Sequence, residues 1–361
     1  MSFRSFNNFH FELRAMPNSI QHLTTALSAI GATSLLLVSA SLAKLSLALL
    51  KNSDFSSALL RASPRSAFDG RRCLQRLGRA LALHICNNYD NVKLILSSRP
   101  QDKLELVAAK CLCQKGCNEV KVLPLDLAQL SNLPSKADEA LNLFGRVDVL
   151  VNNGGVSTRS FAQNSSSRLD VFVAKVDYLS HVSLTKSLLP SWQQSGESST
   201  FNPVIINTSS VAGKLSAPVR TSYCGAKHAL QGWFDAFRLE LELLSQPIRV
   251  MNVVLGSTRT NVARNAIVEI DNTFGSSDAN IELGLEPKFV VKKVLAAAWA
   301  GRQEIWLAPR KEMLMFYLHQ YVPDLAKKIM LKYIAKAYAV QRPGNNCIHE
   351  ENGKEPCSQP R

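Results

Sequence analysis

Residues 204–227 read VIINTSSVAGKLSAPVRTSYCGAK. Residues 204–210 start as an apolar run and end in hydroxyl residues at Ser209 and Ser210. Thirteen residues after Ser210, Tyr223-Cys-Gly-Ala-Lys227 opens a helical pattern. A short apolar run followed by a turn and a helix predicts a buried strand feeding a packed helix. Positions i and i+4 share one helix face, so Tyr223 and Lys227 project together. An ammonium beside a phenol stabilises the phenolate and lowers its reference pKa of about 10. A tyrosine tuned in this way exchanges a proton with a carbonyl or an alcohol near neutral pH. Ser210 can hold the same oxygen by a hydrogen bond. A Tyr-x3-Lys pair alone is a weak signal, and its plain alternative is a surface pair on an amphipathic helix. The preceding strand, ending in serine, makes that alternative the minority one.

The pattern repeats outward from this stretch. Residues 92–98, 119–127, 147–153, 248–256 and 304–308 read as further strands, and residues 78–88 and 101–111 as helices. Strands that are apolar throughout and separated by helices are buried on both faces. They predict a doubly wound α/β fold of the Rossmann type, a parallel sheet with helices on each side. Ligands in such sheets bind beyond the C-terminal strand ends, where the chemistry-bearing residues stand here.

These residues resemble the short-chain dehydrogenase/reductase family. Asn152-Asn153-Gly154-Gly155 resembles its N-N-A-G motif, Ser210, Tyr223 and Lys227 fall on its catalytic Ser, Tyr and Lys, and residues 256–260 (GSTRT) fall on its P-G-x-x-x-T segment. Within the family, the details at 209–215 and 223–232 are similar to a membrane-anchored group. The resemblance implies hydride transfer between a nicotinamide dinucleotide and a carbonyl/alcohol pair. Tyr223 is then the general acid/base, Lys227 lowers its pKa and binds the nicotinamide ribose, and Thr260 contacts the carboxamide. Asp126 matches the position that bonds the adenine edge. Arg99 stands where an NADP-preferring member places a cation against the 2′-phosphate, and no acidic residue ends that strand, so NADP(H) is expected over NAD(H). An exposed loop charge is the alternative for Arg99. Asp177 replaces an Asn that helps hold a water in the family's proton relay, and an Asp there can pair with Lys227 instead. No metal is expected.

One element departs from the family. The motif T-G-x-x-x-G-x-G should follow the first strand. Gly78 fits its last glycine, but Arg76 and Arg72 occupy the other two. Glycines there let backbone N–H groups reach a pyrophosphate at a helix N-terminus. Between residues 51 and 77 the longest aliphatic run is Ala58-Leu59-Leu60, so this segment is expected to be an aberrant linker without the first strand. Three accounts stay open: a catalytically silent relative that binds no dinucleotide, a wrong or missing exon in residues 51–77, or an unusual turn around Gly70 that holds the cofactor with Arg72 and Arg76 binding phosphate by charge.

The flanks complete the organisation. Hydrophobic residues make up 46% of the 361, which excludes a mostly disordered chain, and the formal charge is +14. Residues 1–77 hold nine Lys/Arg against three Asp/Glu, and residues 285–342 eleven against four, so the flanks carry nearly all of that charge. A nucleic-acid binder would carry a basic stripe with aromatics on its folded body, and no nucleic-acid partner is expected. Basic flanks beside apolar segments suit a membrane surface. Residues 23–43 hold no charge, enough helical length to cross a bilayer. A signal anchor over 23–50 is expected after a polar segment 1–22, with a cleaved signal peptide as the alternative. The catalytic domain is expected over 78–310, amphipathic basic helices over 311–341 and a disordered tail over 342–361. The membrane expected is the endoplasmic reticulum, the substrate a lipophilic small molecule, and a homodimer is compatible. The Cys111, Cys113 and Cys117 run has no second cluster and reads as free thiols.

Overall fold

The computed structural model describes residues 66–70, 76–114, 117–194, 202–270, 272–276 and 279–339. Among them, seven strands form one parallel sheet in the order β3-β2-β1-β4-β5-β6-β9. These are β1 (Ser66–Gly70), β2 (Val92–Leu96), β3 (Cys117–Val122), β4 (Val149–Asn152), β5 (Val204–Ser210), β6 (Arg249–Leu255) and β9 (Glu304–Leu307). A two-stranded hairpin, β7 (Ile267–Glu269) with β8 (Asn272–Thr273), stands apart from the sheet. The long helices are α1 (Arg76–Asn88), α2 (Gln101–Leu112), α3 (Leu133–Phe144), α4 (Ser167–Ala174), α5 (Ser180–Gln194), α6 (Thr221–Leu243), α7 (Pro287–Trp299), α8 (Arg310–Tyr321) and α9 (Pro323–Ala339).

Strand side chains alternate between the two faces of the sheet, as the period of two requires. Leu94, Leu96, Val149, Val151, Val204, Ile206, Met251 and Val253 pack with α1, α2 and α7. Ile95, Leu150, Ile205 and Val250 pack with α3, α5 and α6, whose Leu184, Leu188, Leu230 and Phe234 are fully buried. Both faces are covered, which is why these strands read as continuous apolar runs.

The second face turns polar toward the strand ends. Asn152, Asn207 and Asn252 stand opposite one another in register and are fully buried. Asn152 Nδ2 donates to Asn207 Oδ1 at 2.8 Å, Asn207 Nδ2 to Asn252 Oδ1 at 3.2 Å, and Asn252 Nδ2 to Asp235 Oδ1 on α6 at 2.9 Å. Buried amides are tolerable only when paired, so this row fixes the mutual register of three strands and α6.

The expectation of a missing first strand is corrected. Ser66–Gly70 lies in the middle of the sheet, pairing from Ser66↔Lys93 to Asp69↔Leu96 on one side and from Ala67↔Val149 to Gly70↔Asn152 on the other. A central strand is held by backbone N–H and C=O groups on both edges, and any non-proline residue supplies these. The search for a long aliphatic run therefore passed over SAFDG. The strand ends immediately before the positions where the family motif begins. Residues 71–75, including Arg72, lie outside the described residues, as do the expected anchor over 23–50 and the tail over 342–361. Among the described residues no helix is long and apolar enough to cross a membrane. The C-terminal region forms two helices, parted at Val322, which before Pro323 stands outside helical geometry at φ −136° and ψ 65°, as the steric demand of a following proline dictates.

Candidate active site

The site residues converge where β4 and β5 end against α6. Lys227 is buried, and its Nζ donates to the Thr208 carbonyl of β5 at 3.2 Å. One turn further along α6, Gln231 Nε2 donates to Ser209 Oγ at 2.7 Å and to the Ser210 carbonyl at 3.2 Å. Between them Gly213 admits the helix: a Cβ there would meet Gln231 Nε2 at 2.1 Å and the Lys227 carbonyl oxygen at 2.7 Å. These contacts tie the end of β5, and Ser210 with it, to the helix that carries Tyr223. Ser210 Oγ accepts from Ala212 N–H at 3.1 Å, so its own O–H proton remains to donate.

Lys227 Nζ stands 5.8 Å from the centroid of the Tyr223 ring, within range of a cation–π contact. It also lies 3.4 Å from Asp177 Oδ2, and both side chains are almost completely buried. Asp177 sits in a π-helical turn, Lys175–Leu179, that joins α4 to α5. Such turns widen a helix by one residue and are frequent at functional sites. The carboxylate is held from its other oxygen: Asp177 Oδ1 accepts from Val156 N–H at 2.6 Å. Gly155 makes room for it, since a Cβ would lie 3.1 Å from Asp177 Oδ2. The ammonium thus has a carboxylate, a carbonyl and an aromatic face around it, a set that holds a buried charge in place.

The loop after β4 is fixed from two sides. His181, fully buried on α5, places Nε2 2.9 Å from the Gly154 carbonyl oxygen. A carbonyl only accepts, so Nε2 carries the proton. Thr208 Oγ1 donates to Asn153 Oδ1 at 3.3 Å. Sequence reasoning passed over His181, because a lone histidine in a helix carries no motif. Cys224, next to Tyr223, is no competing nucleophile. Burial pushes its thiol pKa up, partly offset by a backbone hydrogen bond with Ala217.

The other expected residues stand at neighbouring strand ends. Arg99 is exposed just past β2, after Ser97 and Ser98, both buried. Asp126 follows β3 and takes the Ala128 N–H on Oδ1 at 2.9 Å. Gly78 is buried in the first turn of α1, Asn152 closes β4, and Thr260 lies in the loop after β6, where its Oγ1 accepts from Val262 N–H at 3.4 Å. The structure brings Asp177, Tyr223 and Lys227 together. It sets Gly78, Arg99, Asp126 and Thr260 at the same end of the sheet without joining them to that cluster.

The segment after β6 is tied back to this end of the sheet. Ile267 N–H donates to the Ser157 carbonyl at 2.8 Å and Arg159 N–H to the Ile267 carbonyl at 3.0 Å, which stitches β7 to the loop after β4. Glu269 accepts from Ser166 N–H and Oγ, both at 2.8 Å, at the start of α4. Hydrogen bonds from Ile270 and Ser166 N–H and from the Ser166 hydroxyl lower the Glu269 carboxyl pKa.

Comparison with known proteins agrees with this geometry. The family described as short chain dehydrogenase matches residues 73–269. Dehydrogenase/reductase SDR family member 7 of Homo sapiens is 33% identical over 240 residues, 65% of this chain and 68% of that protein. Dehydrogenase/reductase SDR family protein 7-like of Anopheles gambiae is 31% identical over 247 residues, 68% of this chain and 76% of that protein. Among solved structures, an alcohol dehydrogenase from the archaeon Thermococcus sibiricus complexed with 5-hydroxy-NADP superposes with a TM-score of 0.56 at 20% identity, covering 67% of this chain and 96% of that one. A short chain dehydrogenase/reductase from Burkholderia phymatum in complex with NAD gives 0.59 at 19% identity, covering 82% and 99%. At such identities the structures speak for the fold alone. The family match and the sequence relatives carry the assignment: the chain belongs to the short-chain dehydrogenase/reductase family, oxidoreductases acting on CH–OH and carbonyl groups.

Proposed function

We propose that this protein is an NADP(H)-dependent carbonyl reductase or alcohol dehydrogenase acting on a lipophilic substrate at a membrane, with Tyr223 as its general acid/base. One observation carries the reading: the Lys227 ammonium is buried against Asp177 and Thr208 beside the Tyr223 ring. When bound, the nicotinamide supplies or accepts the hydride. In the reducing direction Tyr223 gives its hydroxyl proton to the substrate oxygen as negative charge develops there. The Lys227 ammonium stabilises the phenolate that remains, and Ser210 donates its O–H to the same substrate oxygen. Asp177 holds the ammonium in place through a direct ion pair, where the family uses an Asn and a water.

Residues at the strand ends fit a dinucleotide. Ser97 Oγ is buried without a hydrogen-bond partner at the end of β2, and the exposed Arg99 follows two residues later. Those residues would hold the adenosine ribose and its 2′-phosphate, which favours NADP(H). Lys227 and Thr260 would hold the nicotinamide side. The membrane assignment rests on the uncharged residues 23–43 and on α8 and α9, where Leu314, Tyr321, Leu325 and Ile329 are exposed among Lys311, Lys327, Lys328 and Lys332. Endoplasmic reticulum localisation follows by analogy with the membrane-anchored group, and a homodimer is compatible with the fold.

A second reading is favoured by Arg72 and Arg76 at the glycine positions of the phosphate turn. It is a membrane-bound relative that keeps the fold and binds no dinucleotide. Oxidation of NADPH by the full-length protein against a panel of steroid, retinoid and lipid ketones separates the two. Turnover that disappears in Tyr223→Phe supports the enzyme. NADPH binding undetectable at millimolar concentration leaves only the second reading.

A further inference from the structure

The C-terminal part of the chain reaches back into the strand-end loop that carries Thr260. Glu312 stands in the first turn of α8. Its Oε2 accepts from Ser257 N–H at 2.8 Å, across 55 residues of sequence. The approach is possible because residue 256 is glycine: a Cβ there would lie 2.2 Å from Glu312 Oε2 and 2.4 Å from the Ala308 Cβ. An acidic residue in the first turn of a helix ordinarily serves its own helix end. Here the carboxylate serves another element, through a charge-assisted bond of the stronger class.

The rest of the loop is held mainly by backbone carbonyls. Leu285 N–H donates to the Ser257 carbonyl at 2.8 Å and Arg259 N–H to the Leu285 carbonyl at 2.9 Å. Arg259 Nε donates to the Gly284 carbonyl at 2.9 Å, and the buried Thr258 bonds the Gly256 carbonyl through Oγ1 at 3.2 Å. Residues 284–285 therefore fix the loop from one side, and Glu312 fixes the Ser257 N–H from the other, next to the Gly256 N–H that donates to the Leu307 carbonyl at 2.9 Å.

We infer that Glu312 is a positioning residue. It holds the loop 256–260 in the shape that receives the nicotinamide end of the cofactor, so the C-terminal helices set dinucleotide affinity. This rests on the reading of that loop as a cofactor contact. The sign of the effect sets it apart from simple charge. Removing a carboxylate near an anionic dinucleotide would tighten binding by Coulomb's law. Loss of a positioning bond weakens it.

The test is NADPH titration of the full-length protein by fluorescence, with KM and kcat for the same variants. Glu312→Ala is expected to weaken NADPH binding about tenfold and to raise its KM with kcat within about twofold, whereas Glu312→Gln, which keeps an acceptor oxygen, stays within about threefold of wild type. Should the alanine variant fail to fold, Glu312→Asp carries the same expectation, since its shorter carboxylate leaves the Ser257 N–H. Unchanged or tighter NADPH binding in the alanine or aspartate variant overturns the inference alone. Failure of the wild-type protein to bind NADPH overturns both the inference and the cofactor reading beneath it.

Discussion

Two halves of one sheet show different relations between sequence and structure. In the half formed by β4, β5 and α6, the backbone path, the buried amide row and the reactive side chains all point one way. Asn152, Asn207 and Asn252 lock the strands to α6, and α6 delivers Tyr223 and Lys227 to their end. In the half formed by β1 and α1 only the backbone agrees. Ser66–Gly70 takes the central place and pairs on both edges, yet arginines stand where a phosphate turn wants glycine. A sheet position asks only for backbone hydrogen bonds and a tolerable side chain. Chemistry asks for particular atoms. The first half therefore predicts function, and the second predicts fold alone.

The largest effect belongs to the reactive half. Tyr223→Phe is expected to reduce kcat by about a thousandfold with the circular dichroism spectrum unchanged, since proton transfer is lost and no buried partner is removed. Activity close to wild type would break the contrast by removing the chemistry from α6. Next comes the ion pair beneath it. Asp177→Ala leaves the buried Lys227 ammonium without its carboxylate, a loss of about 3–5 kcal/mol. Thermal melting should fall by about 10 °C, and Asp177→Asn should fall by much less.

Replacing Arg72 and Arg76 together by glycine sharpens the comparison from the other half. About tenfold tighter NADPH binding is expected with kcat unchanged, because glycines let backbone N–H groups approach the pyrophosphate. Weaker binding would instead make the two arginines the phosphate ligands. The smallest effect concerns the cover over the site. Hydrogen bonds hold the Glu269 carboxyl pKa below its ordinary value. They are fully present above the ordinary carboxylate range and are lost as pH falls through the lowered pKa. The protection of the 267–270 amides against hydrogen exchange, relative to their intrinsic rates, should fall at that acid limb, and Glu269→Gln should flatten the dependence.

Legibility in the sequence followed the same division. Residues 204–210 were expected as a strand and form one with the same ends, because the run is buried on both faces and bounded by clear turn residues. The possible pairing of Asp177 with Lys227 followed from a charge standing where an amide is usual, and the two side chains are in contact. The β1 strand was illegible, since central pairing leaves no mark in a five-residue stretch of mixed polarity. The π-turn around Asp177 was equally hidden, because widening a helix by one residue needs no special residue type. Glu312 has the look of a surface acid on a basic helix. Only the glycine it requires at position 256 could have hinted at the contact, and that glycine had already been assigned to the family motif.

The reactive half is tested most directly by following the hydride itself. Full-length protein, a lipophilic ketone and NADPH deuterated at the transferable position are incubated, and the alcohol is analysed by mass spectrometry. One deuterium per product molecule, abolished by Tyr223→Phe, is the result this account predicts. A protein that binds no NADPH and forms no labelled alcohol with any ketone offered would contradict it.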